Sequence, residues 1–225
     1  MLKIYAVAEG GVAPHPLAVR DVAAELDAGA LALLPTETVY GVGVAVRPFA
    51  RGLAAAKTPA PKTGYARIFS LKQRDFAQTV PWLVDGPDAL DRYGRDVTQQ
   101  IRALAKAFWP GALTLVVPAA ESVPAFMRAA DGTVALRASA SSVVQALVRA
   151  CNSPLAVTSA NTHGAPAPVA FADVEPRILH GVDVAVDAGA TPCRDASTIV
   201  SYEHGELHVL RQGALPAASI REALR

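Results

Sequence analysis

Short apolar runs recur along this chain, and each ends within a few residues at a proline, a glycine or a polar motif. Runs this short and rich in Leu and Val suit buried strands, and apolar residues at helical spacing occupy segments between them. The predicted strands are residues 30–34, 80–84, 113–117, 134–136, 155–157, 182–186, 198–202 and 207–210, and the predicted helices are residues 16–28, 101–108, 141–151 and 217–224. Residues 203–206 separate the last two strands as a hairpin turn. The alternation predicts an α/β domain with a mixed sheet.

The charged residues are distributed unevenly. Between Arg47 and Arg74 the chain has seven basic residues and no acidic one, although its 21 basic and 20 acidic residues give a net charge of only +1. The remaining residues therefore hold 14 basic and 20 acidic side chains, a balance of −6. Such a basic segment is either a solvated loop or a surface that faces an anionic partner, and composition leaves both open. Residues 47–66 predict an extended basic loop, helical at 53–57 and mobile at 58–63.

Several function classes are disfavoured by what the sequence lacks. No stretch approaches the roughly 18–20 apolar residues of a membrane-spanning helix, and the amino-terminal residues do not form a signal-peptide pattern. Two cysteines cannot build a disulfide scaffold, and five dispersed histidines do not predict a metal site. Phosphate-loop, dinucleotide and nucleophile-elbow motifs are missing, and residues 41–43 (Gly-Val-Gly) are interpreted as a turn. We expect a cytoplasmic protein of one domain, or at most two small ones.

Polar motifs stand at the ends of most predicted strands and of one helix. They contain four cations (Lys72, Arg74, Arg137, Arg211) and several hydroxyl-bearing residues. Ligands of open α/β sheets bind where strands give way to loops, and cations with hydroxyls solvate phosphate oxygens. The motifs therefore predict one cleft for a phosphate-bearing ligand.

Each motif also has a simpler structural interpretation that spacing alone does not exclude. These interpretations are helix caps at Thr36, Thr38 and Ser159, a turn at Asn161, a solvated helix end at Lys72 and Arg74, an ion pair at Arg137 and an exposed strand end at Arg211.

The order of the motifs carries more information than any one of them. They are Pro-Thr-Glu-Thr-Val-Tyr-Gly (35–41), Ile-Phe-x-x-Lys-x-Arg (68–74), Phe-Trp-Pro-Gly-x-Leu-Thr-Leu-Val (108–116), Thr-Val-Ala-Leu-Arg (133–137), Ser-Ala-Asn (159–161), Ser-Thr-Ile-Val (197–200) and Leu-Arg-x-Gly (210–213). Together they resemble the YrdC-type threonylcarbamoyl-AMP synthase family, in its short single-domain form, over residues 16–215. The resemblance implies one domain over residues 1–225, with a twisted, open mixed sheet and flanking helices around a deep, positively lined cavity.

The resemblance also implies a nucleotidyltransferase reaction. L-threonine, bicarbonate and ATP, with Mg²⁺ accompanying the ATP, give threonylcarbamoyl-adenylate and pyrophosphate. That product feeds the N6-threonylcarbamoyl modification of adenosine at position 37 of tRNA, through separate threonylcarbamoyl-transfer proteins. By matched motif, the expected catalytic residues are Lys72, Arg74 and Arg137; the ATP-binding residues are Lys72, Arg74, Thr133, Ser159, Asn161 and Arg211; and the threonine-binding residues are Thr36, Arg137, Val157 and Ser197. No residue is assigned as a metal ligand or as a general base.

Some positions depart from the family pattern. Asp75 and Ser139 stand where many members have proline, and residues 44–66 are longer than usual. Asp75 brings an anion beside Arg74, where it could weaken ATP binding or pair with the guanidinium. These departures leave open a divergent paralogue, either a double-stranded RNA- or tRNA-binding protein or a carbamoyl-adenylate-forming enzyme with another substrate.

Overall fold

A ten-stranded mixed sheet runs through the part of the chain that the structure, a computed structural model, describes: residues 2–7, 14–50, 58–76 and 78–225. From edge to edge the strands are β1 (Lys3–Ala6), β8 (Val184–Asp187), β2 (Ala32–Pro35), β3 (Tyr40–Ala45), β7 (Leu155–Ser159), β4 (Trp82–Leu83), β6 (Thr133–Arg137), β5 (Leu113–Pro118), β9 (Thr198–Glu203) and β10 (Glu206–Arg211). Four neighbouring pairs are parallel (β1–β8, β2–β8, β4–β6, β5–β9) and five are antiparallel. The predicted α/β domain with an open mixed sheet is confirmed.

Helices cover both faces of the sheet. They are α1 (Pro16–Asp27), α2 (Arg47–Ala50), α3 (Gly64–Lys72), α4 (Ala89–Tyr93), α5 (Gln99–Phe108), α6 (Ser142–Cys151), α7 (Pro176–His180) and α8 (Ala217–Glu222). The chain leaves α1 through Gly29, whose φ of +89° is the left-handed conformation that glycine adopts without strain. Within the described residues, no helix is long and apolar enough to cross a membrane.

Alternate residues of the central strands enter two separate apolar clusters. Trp82 of β4 packs with helices α3 and α5, whereas its neighbour Leu83 packs with α1 and α6. Strand side chains point alternately to the two faces of a sheet, so one buried strand supplies both clusters. This explains why the strands are continuous apolar runs without polar alternation.

Strand β3 corrects one interpretation made from the sequence. Gly41 and Gly43 lie within this strand and not in a turn. A Cβ atom on Gly43 would come within 2.4 Å of the carbonyl oxygen of Ala156 and 2.6 Å of a methyl of Val157, both on the neighbouring β7. The glycines therefore allow a close approach of two strands.

The loop predicted over residues 47–66 is shorter than expected, because helices occupy both of its ends. Arg47–Ala50 forms α2, in which Phe49 is buried, and α3 already begins at Gly64. Residues 58–63 contain no helix or strand, and the predicted helical stretch 53–57 lies outside the described residues. A Cβ atom on Gly64 would come within 2.4 Å of the Gly29 carbonyl oxygen, so α3 begins packed tightly against the end of α1. The bounds 1–225 of the domain stay a prediction.

Candidate active site

An open cavity of about 180 Å³ lies between the ends of several strands. Its walls come from the turn after β2, the residues before β4, the carboxyl ends of β6 and β7, the start of β5 and the two strands of the β9–β10 hairpin. Among the predicted site residues, Thr36, Arg74, Arg137, Val157, Ser159, Ser197 and Arg211 line this cavity. The structure therefore brings together residues that are up to 175 positions apart in sequence.

The Thr36–Thr38 turn forms one wall. The Thr36 hydroxyl donates to the carbonyl oxygen of Val39 at 2.6 Å and accepts the backbone N–H groups of Thr38 at 3.2 Å and Val39 at 3.1 Å. Its oxygen also lies 2.7 Å from the Thr38 hydroxyl oxygen. No helix follows this turn, so the helix-cap interpretation of these threonines is wrong. Two buried hydroxyls instead stand at the cavity wall.

Arg137 is buried at the end of β6 and is anchored on three sides. Its Nε donates to the carbonyl oxygen of Gly111 at 3.1 Å, and its Nη2 donates to the Thr38 hydroxyl at 3.1 Å. Nη2 also lies 2.6 Å from Oε1 of Glu37, so the ion-pair interpretation of Arg137 holds together with its place in the cavity wall. The ion pair leaves the cavity less positive than its arginines alone would make it.

Glu37 itself is held by more than Arg137. The Ser139 hydroxyl donates a short hydrogen bond to Oε2 of Glu37. Burial acts to raise the pKa of Glu37, but the charge of Arg137 and the hydrogen bonds to the carboxylate outweigh it and lower that pKa below its usual value. Glu37 is therefore ionised at neutral pH.

Arg74 follows α3 and points into the cavity. Its Nη1 donates to the Thr158 hydroxyl at 3.1 Å and its Nη2 to the carbonyl oxygen of Thr79 at 2.6 Å. Its Nε is buried and has no hydrogen-bond partner within the described residues. Burial lowers the pKa of Arg74, although the guanidinium remains charged at any physiological pH. The interpretation of Arg74 as a solvated helix end is wrong.

The β9–β10 hairpin carries the third guanidinium of the cavity. Arg211 donates through Nε at 3.1 Å and Nη2 at 2.7 Å to the carbonyl oxygen of Ser197, and through Nη2 at 3.1 Å to the Ser197 hydroxyl. That hydroxyl oxygen also lies 2.9 Å from the Thr114 hydroxyl oxygen. Burial and the like charge of Arg137 both lower the pKa of Arg211. Two cations that repel each other across a cleft favour an anion between them.

Lys72 lies behind the cavity wall. It is only 2% exposed, and its ammonium donates to the carbonyl oxygens of Ser159 at 2.5 Å and Asn161 at 2.7 Å and to Oδ1 of Asn161 at 3.2 Å. Burial, followed by the nearby charge of Arg74, lowers the pKa of Lys72 to about 8. The ammonium joins the end of α3 to the loop that follows β7.

Two further predicted site residues lie outside the cavity lining. The Asn161 amide donates to the carbonyl oxygens of Thr162 at 2.9 Å and Ala165 at 2.6 Å, which fixes the loop after β7. Thr133 begins β6, whose other end carries Arg137, and its hydroxyl donates to Asp131 at 2.7 Å. The structure therefore does not bring Thr133 together with the other site residues, because four residues of extended strand span about 13 Å.

Sequence reasoning missed five polar residues of this site. Thr38, Thr79, Thr114 and Thr158 line the cavity without an assigned role, and Glu37 pairs with Arg137 behind it. Glu37 and Thr38 stood inside a quoted motif, and the available signal was a lone carboxylate between two threonines. Glu37 and Arg137 lie about 100 positions apart, so no local sequence pattern indicated that they form an ion pair.

The described residues contain no group of three or more His, Cys, Asp or Glu side chains that could hold a metal ion. The cavity wall offers hydroxyls and guanidinium groups, and the neighbouring carboxylate of Glu37 already serves Arg137 and Ser139. Mg²⁺ binds proteins through one or two carboxylates plus substrate phosphates. These residues fit a Mg²⁺ ion that arrives with a nucleotide as part of the substrate.

Comparison with known proteins identifies the relatives of this chain. The model of the Sua5/YciO/YrdC family, whose description is "Telomere recombination", matches residues 24–213. The chain belongs to the Sua5/YciO/YrdC family. The family resemblance expected from the order of the motifs is confirmed.

Named members of the Sua5/YciO/YrdC family cover most of the chain. A threonylcarbamoyl-AMP synthase of Pyrococcus abyssi is 29% identical over 206 residues, which are 92% of this chain and 57% of that protein. A threonylcarbamoyl-AMP synthase of Xanthomonas campestris is 30% identical over 195 residues, which are 82% of this chain and 96% of that protein. The chain thus spans little more than half of the first relative and nearly all of the second.

Solved structures agree with the fold. The crystal structure of P. abyssi Sua5 complexed with L-threonine has a TM-score of 0.85 at 28% identity, and the match covers 98% of this chain and 60% of that one. Escherichia coli YciO has a TM-score of 0.80 at 18% identity, covering 95% of this chain and 96% of its own. The second match shows a shared fold in a protein of similar length.

Proposed function

We propose that this Sua5/YciO/YrdC protein is a threonylcarbamoyl-AMP synthase. The observation that carries the proposal is the convergence of Arg74, Arg137 and Arg211 on one hydroxyl-lined cavity. Each substrate of this reaction carries negative charge: threonine on its carboxylate, bicarbonate as an anion and ATP on its phosphates. Charge repulsion between the substrates is therefore the main obstacle to the reaction. Fixed cations in the wall of the cavity reduce that repulsion and need no reorganisation during the reaction.

The wall formed by Arg137 and the Thr36–Thr38 turn suits the amino acid. Nε and Nη2 of Arg137 contact the protein, whereas within the described residues Nη1 has no hydrogen-bond partner and remains for a ligand carboxylate. The hydroxyls of Thr36 and Ser197 can orient a small polar side chain. A cavity of about 180 Å³ is smaller than the roughly 300–1,000 Å³ of pockets for larger ligands, so it suits threonine with the nucleotide extending outwards.

The reaction consists of two bond-forming steps. The neutral amine of threonine attacks the carbon of bicarbonate, the new N–C bond forms, and water leaves to give a carbamate. An oxygen of that carbamate then attacks the α-phosphorus of ATP, and the bond to the β-phosphate bridging oxygen breaks. Pyrophosphate leaves with the bond electrons, and Mg²⁺ bound to the ATP offsets part of its charge. The protein contributes by positioning the reactants and by electrostatic stabilisation.

Arg74 and Arg211 are suited to bind the phosphates of ATP. Within the described residues the buried Nε of Arg74 has no hydrogen-bond partner, and a phosphate oxygen would satisfy it. Arg211 stands on the β9–β10 hairpin and Ser159 at the end of β7, and both line the same cavity as Arg74. Lys72 fixes the carbonyl oxygen of Ser159, so we assign it to supporting this wall.

The direct test measures pyrophosphate release from purified protein with ATP, Mg²⁺, bicarbonate and L-threonine. We expect release that depends on threonine and falls when serine replaces it. No release above the control without threonine, for protein shown to be folded, would reject the proposal. If the same protein bound double-stranded RNA with an affinity that falls steeply with salt, the RNA-binding alternative would replace it.

Variants of Arg74 and Lys72 test where the phosphates of ATP bind. We expect Arg74→Ala to weaken ATP binding by about tenfold or more, because a charge-assisted hydrogen bond to phosphate is lost. Lys72→Met should weaken it less and destabilise the fold, because three acceptors lose their donor. Arg128→Gln is the matched control, because Arg128 lies in the connection between β5 and β6, is also part-buried and does not line the cavity. Unchanged ATP affinity in both Arg74→Ala and Lys72→Met would show that the phosphates bind elsewhere.

The product would serve tRNA modification. The proposed downstream steps use separate proteins that transfer the threonylcarbamoyl group to adenosine in tRNA. The relatives' names support synthesis of the adenylate and do not identify these acceptors.

A further inference from the structure

The Arg137 guanidinium is fixed by a buried carboxylate that does not line the cavity. Glu37 is 8% exposed and Arg137 is 5% exposed, and their side chains meet at 2.6 Å. A buried arginine with rotatable bonds needs fixed partners if one particular nitrogen is to face a ligand. Gly111, Thr38 and Glu37 bond Nε and Nη2, so within the described residues Nη1 is the guanidinium nitrogen without a hydrogen-bond partner, on a side chain that lines the cavity.

The Glu37 carboxylate is in turn oriented by Ser139. The Ser139 side chain is fully buried, its hydroxyl donates to Oε2 of Glu37, and it accepts the backbone N–H of Ser141 at 3.2 Å. The backbone of Glu37 is fixed separately, because its carbonyl oxygen accepts the N–H of Cys193 at 2.9 Å. One carboxylate oxygen therefore faces Arg137 and the other faces Ser139, which leaves the carboxylate little freedom to rotate.

We propose that Glu37 and Ser139 are positioning residues that aim Nη1 of Arg137 at the carboxylate of the amino-acid substrate. This inference rests on the proposed synthase function. Without the hydrogen bond from Ser139 the Glu37 carboxylate can turn, and the arginine turns with it.

The kinetic test compares Ser139→Ala and Glu37→Gln with wild-type protein. Ser153→Ala is the matched control, because Ser153 is also buried but its hydroxyl bonds Pro154 and Arg47 away from the cavity. We expect Ser139→Ala to raise the KM for L-threonine about tenfold while the KM for ATP changes less than about twofold. Glu37→Gln should raise the threonine KM further. Ser139→Thr, which keeps the hydroxyl, should restore part of the affinity.

Two results would overturn the proposal. An unchanged threonine KM in folded Ser139→Ala and Glu37→Gln protein would show that neither residue positions Arg137. Equal increases of the threonine and ATP KM values would indicate a general structural defect instead.

A second readout is independent of turnover. In protein with ¹⁵N-labelled arginine, the Nε–H signal of Arg137, assigned through Arg137→Lys, should exchange slowly with water because it bonds Gly111. We expect faster exchange in Glu37→Gln and Ser139→Ala, with the Arg74 signal unchanged; equal exchange in wild type and both variants would reject the positioning role. If wild-type protein releases no pyrophosphate but the exchange rates change as expected, the proposed function fails and the positioning of Arg137 stands.

Discussion

At the scale of single residues, the three cavity arginines differ in which nitrogens the protein already uses. Arg137 uses Nε and Nη2, Arg74 uses both terminal nitrogens, and Arg211 uses Nε and Nη2 on one residue, Ser197. The fixed fork of a guanidinium allows this division between protein and ligand, and a lysine ammonium does not. Arginine and lysine are therefore not equivalent at these positions.

Arg211 can be compared with Arg221 on α8, because both residues are exposed but only Arg211 lines the cavity. We expect Arg211→Gln to reduce kcat/KM for pyrophosphate release about 100-fold, because both a cavity cation and the support of Ser197 are lost. Arg221→Gln should leave kcat/KM within about twofold. Steady-state kinetics on both variants is the measurement, and equal effects of the two substitutions would contradict the role of Arg211.

Glu37 makes stability depend on pH. Its pKa in the folded protein lies below the usual value of 4.5, so its stabilising effect is present above that pH and is lost as pH falls through the folded pKa. We expect Glu37→Gln to lower the free energy of unfolding by about 3 kcal/mol at pH 7, because Arg137 loses its buried partner. Urea unfolding at pH 7 and in acid should show this difference shrinking below pH 4.5. A difference that is constant with pH would contradict the ion pair.

At the scale of elements, the contact between β3 and β7 supports one side of the cavity. Gly41 and Val157 both line it, and the two strands pair from Gly41–Ser159 to Ala45–Leu155. The glycines let the β7 side chains fill the space that a Cβ atom on β3 would otherwise occupy. Close packing here holds Thr158 where its hydroxyl accepts a hydrogen bond from Arg74.

A glycine pair tests this contact. We expect Gly43→Ala to destabilise the protein by about 2–3 kcal/mol, because its Cβ would lie 2.4 Å from the Ala156 carbonyl oxygen. Gly86→Ala is the control, since its Cβ would meet nothing within 4 Å, and it should change stability by less than about 0.5 kcal/mol. Chemical unfolding measures both, and equal stabilities of the two variants would argue against the close approach.

The sequence predicted the strands that are continuous apolar runs and the helices with clear periodicity. It did not predict β3, because glycine is typical of turns and only the neighbouring β7 explains its presence in a strand. Arg74, Arg137 and Arg211 could be predicted as one cationic cleft from strand ends and motif order. The burial of Lys72 and the Glu37–Ser139 contact could not, because each depends on partners about 90 to 100 positions away.

At the scale of the whole molecule, the acid-free basic segment of the sequence is partly neutralised in space. Arg47 pairs with Asp27 at 2.7 Å and Arg67 pairs with Asp183 at 2.7 Å, both from distant parts of the chain. Lys72 is buried and Arg74 faces the cavity. Four of the five basic residues that the structure describes in this segment are therefore paired, buried or turned to the cavity, and the fifth, Lys62, is exposed. This arrangement favours a small anionic ligand over an extended nucleic acid.

Ligand binding should stabilise the whole protein. At 100 times its dissociation constant a ligand adds about 2.7 kcal/mol, which raises the Tm of a chain of this size by about 5–10 °C. We expect such a rise with L-threonine and with Mg²⁺ and ATP, measured by thermal unfolding. D-threonine is the control ligand, and Arg137→Lys should lose most of the threonine effect. An equal rise with both enantiomers would contradict a specific amino-acid site.

The β9–β10 hairpin supplies a complete wall of the cavity from one short stretch near the end of the chain. Ser197 and Arg211 stand on it and contact each other, and β9 joins the remaining sheet by pairing with β5. Gly213 closes the stretch against Ser197, since a Cβ there would lie 2.6 Å from its carbonyl carbon. Residues 197–213 therefore contribute one face of the site from a single contiguous segment, and the same segment enters the apolar core through Val200. Exposed positions of this segment beside the cavity are accordingly where ligand preference can change between homologues without repacking the sheet.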